Sequence, residues 1–373
     1  MRILVWSAAF FPTIGGVQTL GDKLIQALHQ RGHSLEVICH QYPPHLQPPA
    51  PTEEIRHGTP IHRIEFWRSL ERSDLEEFAQ TRQRVLEIKQ RFQPDVIYLY
   101  DVWFEGIFHH LTARASPLPT LLTLHGDYQH LDLRRTIMGT LIKAADWITC
   151  PSASSLGTLR AQFPEITQNS SAILNSIQMP DVVHSPPPFD PPHILCIGRL
   201  VSQKGFDIAL DAFHLLRQEF PGILLTIAGN GDLRQDLEQQ TATLGLSAAV
   251  DFPGWVSPAK IGELINSATI VLVPSRYEPF GLVALEAARL GRPVVATRVG
   301  GLPEIVVDGE TGFLVPAENP FALADAVKRL LLSPNKTIEM GQSARTHALT
   351  CFEWDKFVDN YEQLLMRVSE VRG

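Results

Sequence analysis

The chain has 373 residues, a length that favours two domains, each large enough for its own core. Its 32 Lys and Arg against 40 Asp and Glu give a formal charge of −8, which argues against a nucleic-acid binder, since that class needs a basic excess. The acidity lies in the second half: residues 181–373 carry 16 basic and 23 acidic side chains, against 16 and 17 before them. Cys39, Cys150, Cys196 and Cys351 show neither zinc-knuckle nor disulfide-framework spacing, which suits a reducing cytosol. No apolar run approaches the ~18–20 residues of a membrane span.

The apolar opening lacks a signal-peptide cleavage region before Pro12 and reads as a buried strand at 2–7. Val17, Leu20, Leu24, Ile25 and Leu28 then share one helical face, and a strand follows at Leu35–Cys39. Pro43, Pro44, Pro48, Pro49 and Pro51 mark a long loop. A helix at Leu75–Phe92, strands at Val96–Tyr100 and Thr120–Leu124, a helix at 130–144, a strand at Trp147–Cys150, a helix at 152–162 and a strand at Ala172–Leu174 continue the alternation. Near-continuously apolar strands between amphipathic helices imply a parallel sheet covered on both faces.

Six prolines between Pro180 and Pro192 predict a linker, after which the rhythm restarts. Strands are expected at His193–Gly198, Ile223–Ala228, Val250–Phe252, Thr269–Val273, Pro293–Thr297 and Gly312–Val315. Helices are expected at 207–219, 233–243, 258–267, 282–290, 320–332, 336–349 and 354–371. The expected architecture is α/β: a domain at 1–179, a linker at 180–192, a domain at 193–353 and a last helix within 354–373. Each domain is a doubly wound parallel sheet, a fold that places ligands at the C-terminal strand ends, here in a central cleft.

Gly15-Gly16, between the first strand and helix, fits either an anion site at the helix N-terminus or a tight turn needing positive φ. His125-Gly126-Asp127 closes a strand, where a histidine serves hydrogen bonding or proton transfer, or is simply structural. Gly198-Arg199 followed by Lys204-Gly205 sets two cations and a helix start toward one anion, favouring a phosphate or diphosphate clamp over a solvated pair. Gly229-Asn230-Gly231-Asp232 misses the third glycine of a dinucleotide fingerprint, because Arg234 stands there. Glu278-Pro279-Phe280-Gly281 and Glu286 place two carboxylates about 12 Å apart if both were helical, beyond the ~5–9.5 Å of a glycosidase pair. They read instead as two hydroxyl acceptors along an extended ligand, with a helix N-terminus between them. No metal-ligand spacing is present.

Taken together, these motifs with Gly300-Gly301-Leu302-Pro303-Glu304 and Asp308-Gly309 followed by Gly312 resemble the retaining GT-B glycosyltransferases of family 4 over nearly the whole chain. The resemblance implies two Rossmann-like domains, with the last helix crossing back to the first. It also implies a nucleotide-sugar donor held mainly by the second domain, an acceptor by the first, retained anomeric configuration, and no cofactor or metal. Residue by residue, it makes Arg199 and Lys204 the diphosphate clamp, with Gly198 beside them. Glu286 becomes the ribose acceptor, Glu278 a donor-sugar contact and His125 a contact near the reaction centre. Gly281 and Leu282 supply amides next to Phe280, Gly16 approaches the diphosphate, and the segment from Phe252 to Val256, with Gly231 near it, reads the base.

Two departures stand out: Asn175-Ser176 replaces the usual Asn-Gly, and Asp101 with Trp103 follows a strand where a histidine is common. Asp101 and Trp103, with Gly15 and Asp127, are candidate acceptor contacts, an indole being a flat face for a sugar, although a core tryptophan reads equally well. The helix at 130–144 sets Arg134, Arg135 and Lys143 beside Ile137, Met138, Leu141 and Ile142, either an ordinary amphipathic helix or a peripheral contact to the inner face of a membrane for a lipid-linked acceptor. UDP-glucose is the expected donor, GDP-mannose the next, and a sugar or small molecule the other acceptor classes. A sugar-nucleotide epimerase of the same fold and an NAD-dependent oxidoreductase are the rival activities.

Overall fold

The computed structural model describes all residues except 13–14, 42–50, 68–73, 127, 129–130, 179–183 and 372–373. Two compact units result: Met1–Leu174 with Asp355–Gly373, and Asn175–Trp354.

In the first unit, β1 (Arg2–Ser7), β2 (Ser34–His40), β5 (Val96–Leu99), β6 (Thr120–Thr123), β7 (Trp147–Cys150) and β8 (Ser170–Ala172) are parallel. β1 pairs in register with both β2 and β5, Val5 lying opposite Val37 and Tyr98. These apolar segments are buried on both faces, as helices cover them. The proline-marked loop carries more than expected, for its far end forms a hairpin of β3 (Glu53–Arg56) and β4 (Thr59–Ile64), with β3 antiparallel at the sheet edge. His57 and Gly58 take positive φ at that turn. The eight strands lie in the order β3-β4-β2-β1-β5-β6-β7-β8. A helix at Gly106–Ala113 also lacks a clear sequence signal.

The segment expected as one helix at 130–144 is two pieces. Asp132 caps a 3-10 turn at Leu133–Arg135, and Thr136, whose hydroxyl accepts from the Gly139 amide, caps a helix at Ile137–Ala144. Met138, Leu141 and Ile142 enter the core with Leu133, so the apolar side proposed for a membrane is spent inside the unit. No helix among the described residues is long and apolar enough to cross a membrane.

The second unit is a parallel sheet of six strands: β9 (His193–Ile197), β10 (Leu224–Ala228), β11 (Val250–Gly254), β12 (Ile270–Val273), β13 (Val294–Thr297) and β14 (Gly312–Val315). Their order is β11-β10-β9-β12-β13-β14. It reverses from β9, with β10 on one side and β12 on the other. That reversal is the switch point at which doubly wound sheets open a crevice for ligands.

The second unit begins at Asn175, ahead of the proline stretch expected to link the domains. The described part of that stretch is pinned to this unit. Arg292, fully buried, donates to the carbonyls of Ser185, Ile265 and Asn266, and Thr269 Oγ1 donates to Pro188 O. The Ser176 hydroxyl donates to Phe352 O at 2.7 Å, giving the serine that replaces glycine a bond of its own. The last helix, Trp354–Ser369, belongs to the first unit, where Tyr361 packs on Tyr98 and Glu362 bonds Arg31 and His33.

Candidate active site

In the second unit, the residues singled out by sequence collect at the C-terminal ends of β9, β10 and β12. Beyond β9 the chain passes Gly198 and Arg199 into a 3-10 turn, Ser202–Lys204, ending at Gly205 with φ 64°. A Cβ at Gly205 would stand 2.1 Å from Pro274 O, so only glycine lets this turn lie against the loop after β12. The two loops are then stitched together: Arg276 N donates to Gln203 O, Gln203 Nε2 to Tyr277 O, and Arg276 Nη1 to Ser202 O. Arg276 also forks onto Asp207 at 2.8 and 2.7 Å and reaches Glu318.

This scaffold brings Lys204 to Glu278: Nζ donates to Oε2 at 2.6 Å, and Ser275 Oγ donates to the same oxygen at 3.1 Å. Both side chains retain some access to solvent, at 19% and 11%. Behind them, Gly301 N donates to Glu278 O at 2.9 Å. Gly300 takes φ 51°, and a Cβ there would fall 1.9 Å from that same Glu278 carbonyl. The Gly300-Gly301 pair thus seats the Glu278 backbone.

Gly281, at φ 112°, opens the helix Leu282–Arg289 with no side-chain cap, leaving the amides of Gly281 and Leu282 unclaimed by a capping group. Phe280 is buried beneath, its ring 5.9 Å from that of Phe352. Glu286 lies on the second turn of this helix, and burial in apolar surroundings pushes its carboxyl up to about 7. Arg199 is exposed and makes no side-chain hydrogen bond or ion pair with the described residues, so its charge is uncommitted. A Cβ on Gly231 would stand 2.5 Å from Leu200 O, and Gly229 N donates to Gly254 O at 2.8 Å, so the loops after β9, β10 and β11 close on one another. Val256, just past β11, is half-buried. Arg234, where a dinucleotide fingerprint would place glycine, donates to Phe252 O at 2.9 Å and lies over the Phe252 ring. Sequence reasoning missed Arg276, whose partners Ser202 and Asp207 are 74 and 69 residues away, Arg234, whose contact with Phe252 spans 18 residues, and Ser275, three residues from Glu278, because a lone serine in a loop carries no motif signal.

In the first unit, Gly15 has φ −163°, extended backbone open to any residue, and Gly16 begins the helix Gly16–Gln30, so no left-handed turn demands the pair. A Cβ at Gly15 would instead meet Gln18 Oε1 at 2.3 Å. His125 is buried against the Tyr100 ring, 4.6 Å between centroids, with neither ring nitrogen bonded to a described residue, and burial lowers its pKa to about 3. It is a neutral imidazole at physiological pH, able to donate one hydrogen bond and too weak a base for proton abstraction. Asp101 holds φ 62°, and desolvation raises its pKa to about 6 against hydrogen bonds from Trp103 and Gln18. Trp103 is 59% exposed, which answers the alternative of a core tryptophan. Asp127 lies outside the described residues. No group of three metal-ligating side chains occurs among the described residues.

The family described as Glycosyltransferase Family 4 matches residues 14–177, and Glycosyl transferases group 1 matches 183–347. This chain belongs to glycosyltransferase family 4. The glycogen synthase of Mycobacterium tuberculosis is 29% identical over 95% of this chain and 92% of its own length. Among solved structures, the sucrose-phosphate synthase of Thermosynechococcus elongatus superposes with a TM-score of 0.80 at 22% identity, covering 98% of both chains. Anabaena HepE in complex with UDP-glucose superposes at 0.80 and 19% identity, covering 98% of this chain and 100% of its own. The fold is accordingly GT-B, and the family 4 enzyme is a hexosyltransferase.

Proposed function

We propose that this glycosyltransferase moves a glucosyl unit from UDP-glucose to a hydroxyl acceptor with retention of configuration and without a metal ion. The observation that carries the reading is the 2.6 Å Lys204–Glu278 pair beside the uncapped N-terminus of helix Leu282–Arg289. Expelling a nucleoside diphosphate requires positive potential at the departing oxygens, and Lys204, the uncommitted Arg199 and the Gly281 and Leu282 amides supply it. Once Lys204 turns to phosphate, the Glu278 carboxylate is released to accept from donor-sugar hydroxyls. Glu286 accepts from the ribose, and Val256 and its neighbours line the base. UDP-glucose is favoured by the HepE complex with that donor.

The reading is tested with Glu278→Ala and Lys204→Ala, each expected to lose transfer from UDP-glucose while keeping the wild-type circular dichroism spectrum. Wild-type turnover by either variant overturns the role given to that residue. Proton NMR of the product fixes the anomeric configuration, full activity in EDTA is expected, and GDP-mannose run in parallel tests the donor.

A further inference from the structure

On the second unit, cations gather at the C-terminal end of the helix Leu282–Arg289, about 12 Å of helix away from the Gly281 amides. Gly291 and Arg292 lead from there into the N-terminal end of β13, the opposite edge of the sheet from the strand ends where the donor residues collect. Gly291 has φ 66°, and a Cβ on it would fall 2.4 Å from His184 Nε2, so the imidazole rests against bare backbone. A Cβ on Gly341 would stand 2.1 Å from Gly291 O, so glycine there lets the helix Pro334–Cys351 press close. One turn further along that helix, Arg345 donates from Nη1 to Arg289 O at 3.0 Å. Arg292 is fully buried, and its charge and that of Arg345 both act on His184.

Arg292 is spent on structure, since Nε, Nη1 and Nη2 all donate, to the Ile265, Ser185 and Asn266 carbonyls among others. Arg289 and Arg345 keep donors in hand. Arg289 uses Nη1 alone, on Ile177 O at 2.9 Å and Phe352 O at 3.4 Å, and Arg345 uses Nη1 alone, on Arg289 O. The Nε and Nη2 of each have no partner among the described residues and are not shut away from solvent. That edge of a guanidinium grips an oxyanion through two parallel hydrogen bonds. No described carboxylate pairs with any of these cations. Burial and then the Arg345 charge lower the pKa of Arg289, and burial followed by Arg292 and Arg345 lowers that of His184. Guanidiniums held together without a counter-charge repel one another, and carbonyl dipoles offset that only in part.

A small dianion supplies the missing charge and fits the two forks, with the His184 ring as a further donor. A carboxylate brings half that charge, and an extended polyanion would be repelled by a chain of formal charge −8. Carbonyl contacts account for one nitrogen each of Arg289 and Arg345 and leave the paired edges unexplained. We propose that Arg289, Arg345 and His184 form a binding site for a phosphate group, with the buried Arg292 adding its charge from within. The group arrives as inorganic phosphate or on a small phosphomonoester. The site is separate from the Arg199 and Lys204 clamp and does not depend on the transferase reading.

The test is isothermal titration calorimetry on the full chain carrying Arg199→Ala and Lys204→Ala together, so that the donor-site clamp cannot report. The titrants are inorganic phosphate, glycerol 2-phosphate and, at matched ionic strength, acetate. One phosphate-bearing titrant at least is expected to bind, acetate at least tenfold more weakly, and the tighter of the two phosphates identifies the form in which the group arrives. Adding Arg345→Ala is expected to weaken binding by about tenfold or more, and Arg345→Lys, which keeps the charge and loses the fork, to recover part of it. Arg345→Gln, which keeps an N–H donor and loses the charge, is expected to show the same loss and serves if the alanine variant fails to fold. Neither phosphate bound below about 10 mM, acetate bound as tightly as phosphate, or undiminished affinity in the Arg345→Ala and Arg345→Gln proteins overturns the proposal. Binding in the clamp-free background that Arg345→Ala removes establishes the site whatever reaction the enzyme performs.

Discussion

Replacing Glu286 by glutamine should stabilise the protein while weakening its hold on a donor. Desolvation raises this carboxyl from an ordinary 4.5 to about 7, and no side-chain partner among the described residues offsets it. The folded protein keeps a proton that the unfolded chain releases, so stability is greatest below about pH 4.5, falls through the window to pH 7 and stays low above it. At about 1.36 kcal/mol per pH unit the penalty above pH 7 is up to roughly 3 kcal/mol, which the neutral amide of Glu286→Gln would not carry. For a unit of this size that corresponds to a rise in Tm of roughly 6–12 °C at pH 8, shrinking to a few degrees at pH 5. Differential scanning calorimetry of both proteins across this range measures it, and other titrating groups cancel in the difference. Glutamine retains a neutral acceptor but loses the charge-assisted bond, so UDP affinity should fall by about tenfold. A pH-independent difference in Tm, or a variant less stable at pH 8 than at pH 5 relative to wild type, would refute the assignment of a desolvated, unpaired carboxylate.

Gly300→Ala places a methyl 1.9 Å from Glu278 O at φ 51°, so a loss of about 1–3 kcal/mol in urea unfolding and a larger loss of turnover are expected. Lys89, whose amine is buried and bonded to Thr112 Oγ1 at 2.8 Å, has its pKa lowered by desolvation to about 7 from 10.5. The unfolded chain therefore binds the extra proton, and wild-type stability should rise between pH 7 and pH 10.5, a slope that Lys89→Met should lose. Leu141→Ala should cost about 2–5 kcal/mol in chemical unfolding, because that side chain is core, and Arg134→Ala with Arg135→Ala should leave vesicle co-sedimentation unchanged.

Much of the framework was legible because it depends on local pattern. Apolar runs such as Ile3–Trp6 and Val294–Ala296 admit one environment, a strand covered on both faces, whereas the left-handed backbone of the glycines at 205, 281 and 300 emerged only in the fold. The hairpin at 53–64 escaped because Glu53, Glu54 and Arg56 are polar edge-strand residues without an apolar alternation. The helix expected at 130–144 was broken by caps at Asp132 and Thr136, whose side chains bind backbone amides two and three residues ahead. The domain boundary moved because prolines signal only what a segment cannot form, and Arg292 and Thr269 decide what it packs against.

The sequence by itself determined that two doubly wound units exist and which residues are candidates to meet a diphosphate and sugar hydroxyls, since spacing is a property of neighbours in the chain. Only the tertiary structure decided the states of those residues. It brought Lys204 within 2.6 Å of Glu278 across 74 positions, left Arg199 without a partner among the described residues, made His125 neutral and Glu286 a weak acid, and opened Trp67 and Trp103 to solvent. Desolvation and pairing are set by what surrounds a group in space, and the chain order does not contain that information.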